Sequence, residues 1–285
     1  MKNLIDYISS LIGEKIIHHK PISGGDISSA FLVKTSKNYY FLKVNSKKSA
    51  LAMFLSEKKG LAAISKTRTI ATPKVYHCEL FEHSAFILLE YIESKTPTSK
   101  DFETFAFQLA RLHKNTTSKF GCNFDNYIGS LPQSNRRHQN WTTFYLEERI
   151  FPQLELAKSK HLLATNDIPQ KQQMYYVCQE LFQNITPSLL HGDLWSGNYL
   201  INNDGTPYLI DPSVYYGHNE IDIAMSKLFG GFDPSFYQTY QEYFPISEQT
   251  NARISLYQLY YLLVHLNLFG NSYVGSVKNI LSKYF

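Results

Sequence analysis

Residues 189–200 read LLHGDLWSGNYL. A His, an Asp, a Trp and an Asn crowd into one short loop between apolar runs. Such polar density is costly unless water, a metal or a substrate satisfies it. Asp193 precedes Asn198 by five residues, and Asp211 follows Asn198 by 13. Short strands are expected at 199–202 and 207–211, joined by a turn at Asn203-Asp204-Gly205. That hairpin would bring Asp211 back beside the loop.

Together these residues offer one carboxylate for a hydroxyl and two oxygen ligands for a divalent metal. Phosphoryl transfer from ATP needs that set. Mg²⁺ prefers a few hard protein oxygens, with water and phosphate completing its shell. An Asp–Asn pair alone is usually turn chemistry. The full HGD....N pattern, followed by LID at the end of a hairpin strand, has the spacing of a kinase catalytic loop. The reading makes Asp193 the base or orienter of an acceptor hydroxyl and Asn198 and Asp211 the Mg²⁺ ligands. His191 is expected to support the loop by hydrogen bonds, and Gly192 and Gly197 to permit tight turns.

A nucleotide pocket is sought upstream. SGGDISSAF (23–31) precedes a strand. It is not a full G-x-G-x-x-G, but Gly24, Gly25 and the hydroxyls of Ser28 and Ser29 could approach phosphate. Lys43 lies within YYFLKVN, and Glu57 follows 14 residues later on a helical pattern, placed to pair with it. FILLEYIE (86–93) reads as a last strand running into a linker, where backbone groups of Glu90, Tyr91 and Ile92 could read adenine edges. No Walker-A sequence occurs, which disfavours a P-loop NTPase.

Working outward, residues 3–12 and 48–65 carry helical apolar spacing. Strands are expected around 30–33, 40–44, 75–81 and 85–91. ESKTPTSK (93–100) reads as a polar linker ending in a helix start. Helices are expected at about 100–114, 140–160, 168–184, 219–229 and 250–269, with a last one in 272–285. The expected architecture is α+β and two-lobed: a small β-rich nucleotide-binding lobe over residues 1–92 and a larger, mainly helical lobe over 93–285 for catalysis and acceptor binding.

The chain has 285 residues, 44% of them apolar, with 21 Tyr, 19 Phe and a net charge of +4. The charge is scattered, so no nucleic-acid surface is indicated. No stretch approaches 18 apolar residues, so no membrane span is expected. Three cysteines lack metal-type spacing and argue against a disulfide framework. The N-terminus lacks a signal-peptide pattern. A cytoplasmic protein is the expectation.

With these residues assembled, the chain resembles the fructosamine kinase (ketosamine-3-kinase) family. LLHGDLWSGNYL, LIDPSVYYGHNEIDIAMSKLFGGF and LYQLYYLLVHLNLFGNSY carry the resemblance, with SGGDISSAF, LKVN, SEKKGLAAI and LLEYIE in the same order. It implies a protein-kinase-like fold and ATP- and Mg²⁺-dependent phosphorylation of the sugar 3-hydroxyl of ketosamines, followed by spontaneous loss of the phosphorylated adduct. It also implies Lys43 and Glu57 as the phosphate-anchoring pair and Glu90 to Ile92 as the adenine hinge. Asp26 stands where some relatives carry Cys, so no redox switch is carried over.

On the acceptor side, Trp195 reads as a sugar platform or a core ring, and His218 as a cleft or a structural residue. Asp222 reads as a helix-start acid or an anchor for the catalytic loop. His265 and Asn267 read as core or cleft. The rival readings are an aminoglycoside- or choline-type kinase and a non-catalytic pseudokinase.

Overall fold

The computed structural model describes residues 1–22 and 28–285. Gly24 and Gly25 lie outside the described residues. Helix α1 (Lys2–Ile12) leads into β1 (Ile16–Pro21), β2 (Ser29–Thr35) and β3 (Tyr39–Asn45), then α2 (Ala50–Lys66), β4 (Val75–Phe81) and β5 (Ser84–Glu90). The five strands form one antiparallel sheet in the order β1-β2-β3-β5-β4. β5 explains why FILL shows no alternation: both faces are covered. Phe86 and Leu88 pack with Leu4, Ile5 and Ile8 of α1. Ala85, Ile87 and Leu89 pack with Phe54 and Leu61 of α2. A strand buried on both sides reads as a continuous apolar run.

Lys43 pairs with Ala30 on one side and Ile87 on the other, so it sits in the middle of the sheet. It shares the α2 side with Ile87. A solvated edge lysine, the ordinary reading of such a residue, is ruled out.

The rest is mainly helical: α3 (Ser99–His113), α4 (Trp141–Tyr145), α5 (Phe151–Ser159), α6 (Lys171–Leu181), α7 (Glu220–Leu228), α8 (Pro234–Tyr243), α9 (Thr250–Phe269) and α10 (Val274–Tyr284). Two-stranded pieces interrupt it. β6 (Asn126–Ile128) pairs with β7 (Leu131–Gln133), β9 (Tyr199–Ile201) with β10 (Pro207–Leu209), and β8 (Ser188–Leu190) with β11 (Tyr215–Gly217). β8 and β11 bracket the polar loop, so its two ends are fixed to each other. α9 runs through the main core, burying Leu256, Tyr257, Tyr260, Tyr261, Leu263 and Leu266. Buried on nearly every side, it is a central helix rather than a surface one.

One continuous helix was expected over 140–160. A π-turn at Leu146–Ile150 separates α4 from α5. Arg149 on that turn is fully buried. Its guanidinium donates to the Ser134 carbonyl at 2.6 Å and the Asn135 side chain at 2.6 Å, and lies 4.0 Å from the Tyr215 ring centroid.

Candidate active site

The polar loop is held from below. The Asp222 carboxylate, on the first turn of α7, accepts the backbone N–H groups of His191 and Gly192, each at 2.8 Å, and meets His113 Nε2 at 3.0 Å. Asp222 is therefore the anchor of the loop. His191 Nε2 donates to the Ile210 carbonyl at 2.8 Å, and its Nδ1 accepts the Asp193 N–H at 3.2 Å. Burial lowers its pKa, so the ring is neutral and one nitrogen donates while the other accepts. The Tyr261 hydroxyl donates to the Gly192 carbonyl at 2.8 Å, and the Ser213 N–H to the His191 carbonyl at 2.8 Å. His113 and Tyr261 escaped the sequence reading. Their only trace there is a polar tip at a helix position otherwise occupied by apolar residues.

At the loop's centre, Asn198 Nδ2 donates to the Asp193 carbonyl at 2.9 Å and to its carboxylate at 3.2 Å. Burial pushes the Asp193 carboxyl up to about 7, aided by the nearby charges of Asp211 and Asp222 and opposed by Asn198. The Ile210 N–H donates to the Asn198 carbonyl at 3.1 Å, which brings the end of the β9–β10 hairpin against the loop.

Asp211 follows in a left-handed conformation, φ 52°. Its carboxylate meets the Lys43 ammonium, which also pairs with Glu57 Oε1 at 2.9 Å. The structure thus brings Lys43 of β3, Glu57 of α2 and Asp211 of the helical lobe to one point. Burial works against the Lys43 charge, but the two carboxylates outweigh it and hold the ammonium above the ordinary lysine value. Burial would raise Asp211, yet Lys43 holds it below the ordinary range. At Glu57 burial prevails over the pull of Lys43, and its pKa rises to about 8.

The remaining predicted residues lie as follows. Ser28 Oγ accepts from Asn45 Nδ2 at 3.2 Å, and Ser29 opens β2. The Glu90 N–H donates to the Lys74 carbonyl at 2.8 Å. That N–H is therefore engaged at the end of β5 with the segment leading into β4. Tyr91 and Ile92 continue from β5 into the linker. Trp195 is half-buried, and its ring lies where a Gly197 Cβ would stand, within 2.5 Å. His218 is buried, with Nδ1 at 2.8 Å from the Tyr257 hydroxyl, and has no recorded contact with Asp193, Asn198 or Asp211. Asn267 resolves to core, bonded to Gln153, and His265 Nδ1 to the Tyr261 carbonyl.

Among the described residues no cluster of three His, Cys, Asp or Glu side chains is arranged to hold a metal, and no helix is long and apolar enough to cross a membrane. The donors gathered here are of a different kind. With its amide nitrogen turned to Asp193, Asn198 keeps its oxygen for another donor or a cation, and Asp211 supplies carboxylate oxygen. Two hard oxygen donors beside a charged lysine fit a Mg²⁺-bound polyphosphate, which provides most of the metal's ligands itself.

Comparison with known proteins agrees with this geometry. A probable ketoamine kinase of Lactiplantibacillus plantarum is 39% identical over 272 residues, covering 93% of each chain. The chloroplastic protein-ribulosamine 3-kinase of Arabidopsis thaliana is 37% identical over 271 residues, covering 92% of this chain and 81% of the relative. A crystal structure from Haemophilus somnus, provisionally assigned as a fructosamine-3-kinase, matches with a TM-score of 0.88 at 30% identity, over 99% of this chain and 96% of that one. The sheet lobe, the helical lobe and the lysine between them make up a protein-kinase-like fold. A profile of fructosamine kinase matches residues 1–285, and the chain belongs to the fructosamine kinase family.

Proposed function

We propose that this enzyme transfers the γ-phosphoryl group of ATP to the sugar 3-hydroxyl of ketosamines, the glycation adducts of amines. The observation that carries the reading is Lys43, held between Glu57 and Asp211 at the junction of the lobes, beside the Asp193–Asn198 pair. Phosphoryl transfer is mostly positioning and charge stabilisation, and this is where such groups converge.

The proposed roles follow from the chemistry of each group. Residues 1–92 would bind the nucleotide, and 93–285 would supply the catalytic loop and the acceptor side. Gly24, Gly25, Ser28 and Ser29 would cover the phosphates. Lys43, kept charged chiefly by Asp211 and oriented by Glu57, would hold them. The Glu90 carbonyl and the backbone of Tyr91 and Ile92 would meet the adenine edge. Asn198 and Asp211 would hold Mg²⁺, which when bound neutralises triphosphate charge. Asp193 would orient the acceptor hydroxyl and take its proton as that oxygen bonds to the γ-phosphorus and the bond to the β,γ-bridging oxygen breaks. The exposed part of Trp195 would face the sugar. His218, turned to Tyr257, would shape that side indirectly. We place the reaction in the cytoplasm, a reducing compartment that suits three free thiols, one of them the fully buried Cys178.

The test is mass-spectrometric detection of phosphate on synthetic fructose-lysine and ribulose-lysine with MgATP, with choline and kanamycin alongside. Phosphate is expected on the ketosamines and lost in Asp193→Ala, which should still bind MgATP. Turnover of choline or kanamycin in preference to both ketosamines would favour the rival small-molecule kinase. Equal inactivity of wild type and variant on every acceptor would favour a pseudokinase.

A further inference from the structure

A cavity of about 480 Å³ opens in the helical lobe between the α6–β8 connection, α7, α8 and the start of α9. None of Lys43, Glu57, Asp193, Asn198 or Asp211 lines it; of the residues assigned to the acceptor side, His218 does. Its size is that of a small-molecule site. Its walls mix the rings of Tyr237 and Tyr243 with the amides of Gln241 and Asn219. Rings for C–H faces and amides for hydroxyls suit a sugar.

The charge in the wall is uneven. Arg253 and Glu220 form a two-point pair, Nε to Oε2 at 2.7 Å and Nη2 to Oε1 at 2.6 Å, and cancel each other. Lys227 stands with its ammonium 5.0 Å from the Tyr237 ring centroid. No carboxylate among the described residues is recorded as its partner. The wall therefore has one surplus positive charge, at an exposed and adjustable side chain.

The cavity is also joined to the catalytic loop by hydrogen bonds. Asn219 Nδ2 donates to the Tyr240 hydroxyl at 2.8 Å, and both residues line the cavity. That hydroxyl lies 2.7 Å from His113 Nδ1. His113 Nε2 lies 3.0 Å from Asp222, which holds the His191 and Gly192 N–H groups. The directions agree along the chain. Since Tyr240 accepts from Asn219, its own proton goes to His113 Nδ1, leaving the Nε2 proton for Asp222.

We propose that this cavity is an effector site for a small anionic polyol, a phosphorylated or carboxylated sugar, whose occupancy is transmitted to the catalytic loop through Asn219, Tyr240, His113 and Asp222. The coupling rests on the kinase reading above; the binding does not.

The experiment uses the full chain with its nucleotide site filled by MgAMP-PNP. Ribose 5-phosphate, gluconate, ribose and inorganic phosphate are titrated by calorimetry up to about 10 mM. At least one of the two anionic sugars should bind, and which one identifies the source of the charge. Ribose and inorganic phosphate should bind at least about tenfold more weakly. Lys227→Glu, a surface change that leaves the fold intact, should weaken the anionic sugar by at least about tenfold. Tyr240→Phe should keep binding while abolishing the sugar's effect on kcat for ketosamine phosphorylation. The site is overturned if neither anionic sugar binds, if ribose binds as well, or if Lys227→Glu binds unchanged. The coupling is overturned if a bound sugar leaves wild-type turnover unmoved, or if Tyr240→Phe responds as wild type does.

Discussion

Two glycines of the polar loop serve for different physical reasons. Gly192 has φ +84°, and a Cβ there would lie 2.2 Å from the Ser213 carbonyl oxygen. Gly192→Ala therefore meets both a strained backbone and a backbone collision. It should cost at least about 2 kcal/mol and most of the turnover, read from denaturant unfolding and kcat. An unchanged midpoint would refute the close approach to Ser213. Gly197, expected for the same reason, is instead small to admit the Trp195 ring. A sequence shows that a glycine is needed but does not say whether torsion or space requires it. Asp222 makes the same point. A helix-start acid is common, and only the fold shows two loop N–H groups and a histidine converging on it. Asp222→Ala leaves those buried donors unpaired, each costing about 1–3 kcal/mol. A fall in stability under about 1 kcal/mol would contradict the anchor.

At the scale of elements, the strongly periodic segments were legible. Helix α9 occupies the expected 250–269, and α3 and α7 begin and end within a residue or so of expectation. Three-residue strands such as β6, β8 and β11 are too short to show a period, and α8 was missed because its rings face several neighbours at once. The π-turn inserts its register change without changing composition. The linker was legible as polar, but its docking was not. The Lys95 N–H donates to the Ile201 carbonyl at 2.9 Å, and the Lys95 ammonium reaches Asp101 at 3.0 Å. Asp101 also closes a capping box with Thr98 at the start of α3. Its carboxyl is held below the ordinary 3.8, first by the Thr98 N–H and further by the Thr98 hydroxyl and Lys95. A depressed carboxyl contributes stability fully above its ordinary pKa and loses it as pH falls through the folded value. Asp101→Asn should cost about 1 kcal/mol at neutral pH, and the gap to wild type should narrow below about pH 4. Urea unfolding across that range checks it; a gap that stays constant on acidification would exclude the carboxylate as its source. α2 has its own constraint. A Cβ at Gly60 would lie 3.0 Å from Pro212 Cγ, next to Asp211. Gly60→Val should push α2 off that segment and draw Glu57 from Lys43. It should lower kcat/KM for ATP by about tenfold or more while leaving the acceptor KM little changed.

Across the whole molecule, several ties join the two lobes. The Leu209 N–H donates to the Ala71 carbonyl at 2.9 Å, Gly60 approaches Pro212, and Lys43 meets Asp211. The order of strand-rich and helical segments made two lobes legible, because period and composition are local. Which residues meet across them was legible only through the family's motif order, since no local pattern encodes a contact spanning 168 residues. The tie predicts how nucleotide binding and stability are linked. Lys43→Met removes the buried ammonium between two part-buried carboxylates and should cost the apo chain about 1–3 kcal/mol, less than the loss for a fully buried pair because Asp211 is one-third exposed. In the wild type, MgATP at about a hundredfold its Kd should add about 2.7 kcal/mol. With an unfolding entropy of about 2.1 cal/mol/K per residue over 285 residues, that raises the melting temperature by about 4–5 °C. In Lys43→Met the same MgATP concentration should raise it by less than about 1 °C, because the phosphates lose their cation and meet the uncompensated charge of Asp211. Differential scanning calorimetry of both proteins with and without MgATP measures each quantity. Equal nucleotide-induced shifts would mean that the lysine at the junction does not hold the phosphates, and the roles built on it would have to be reassigned.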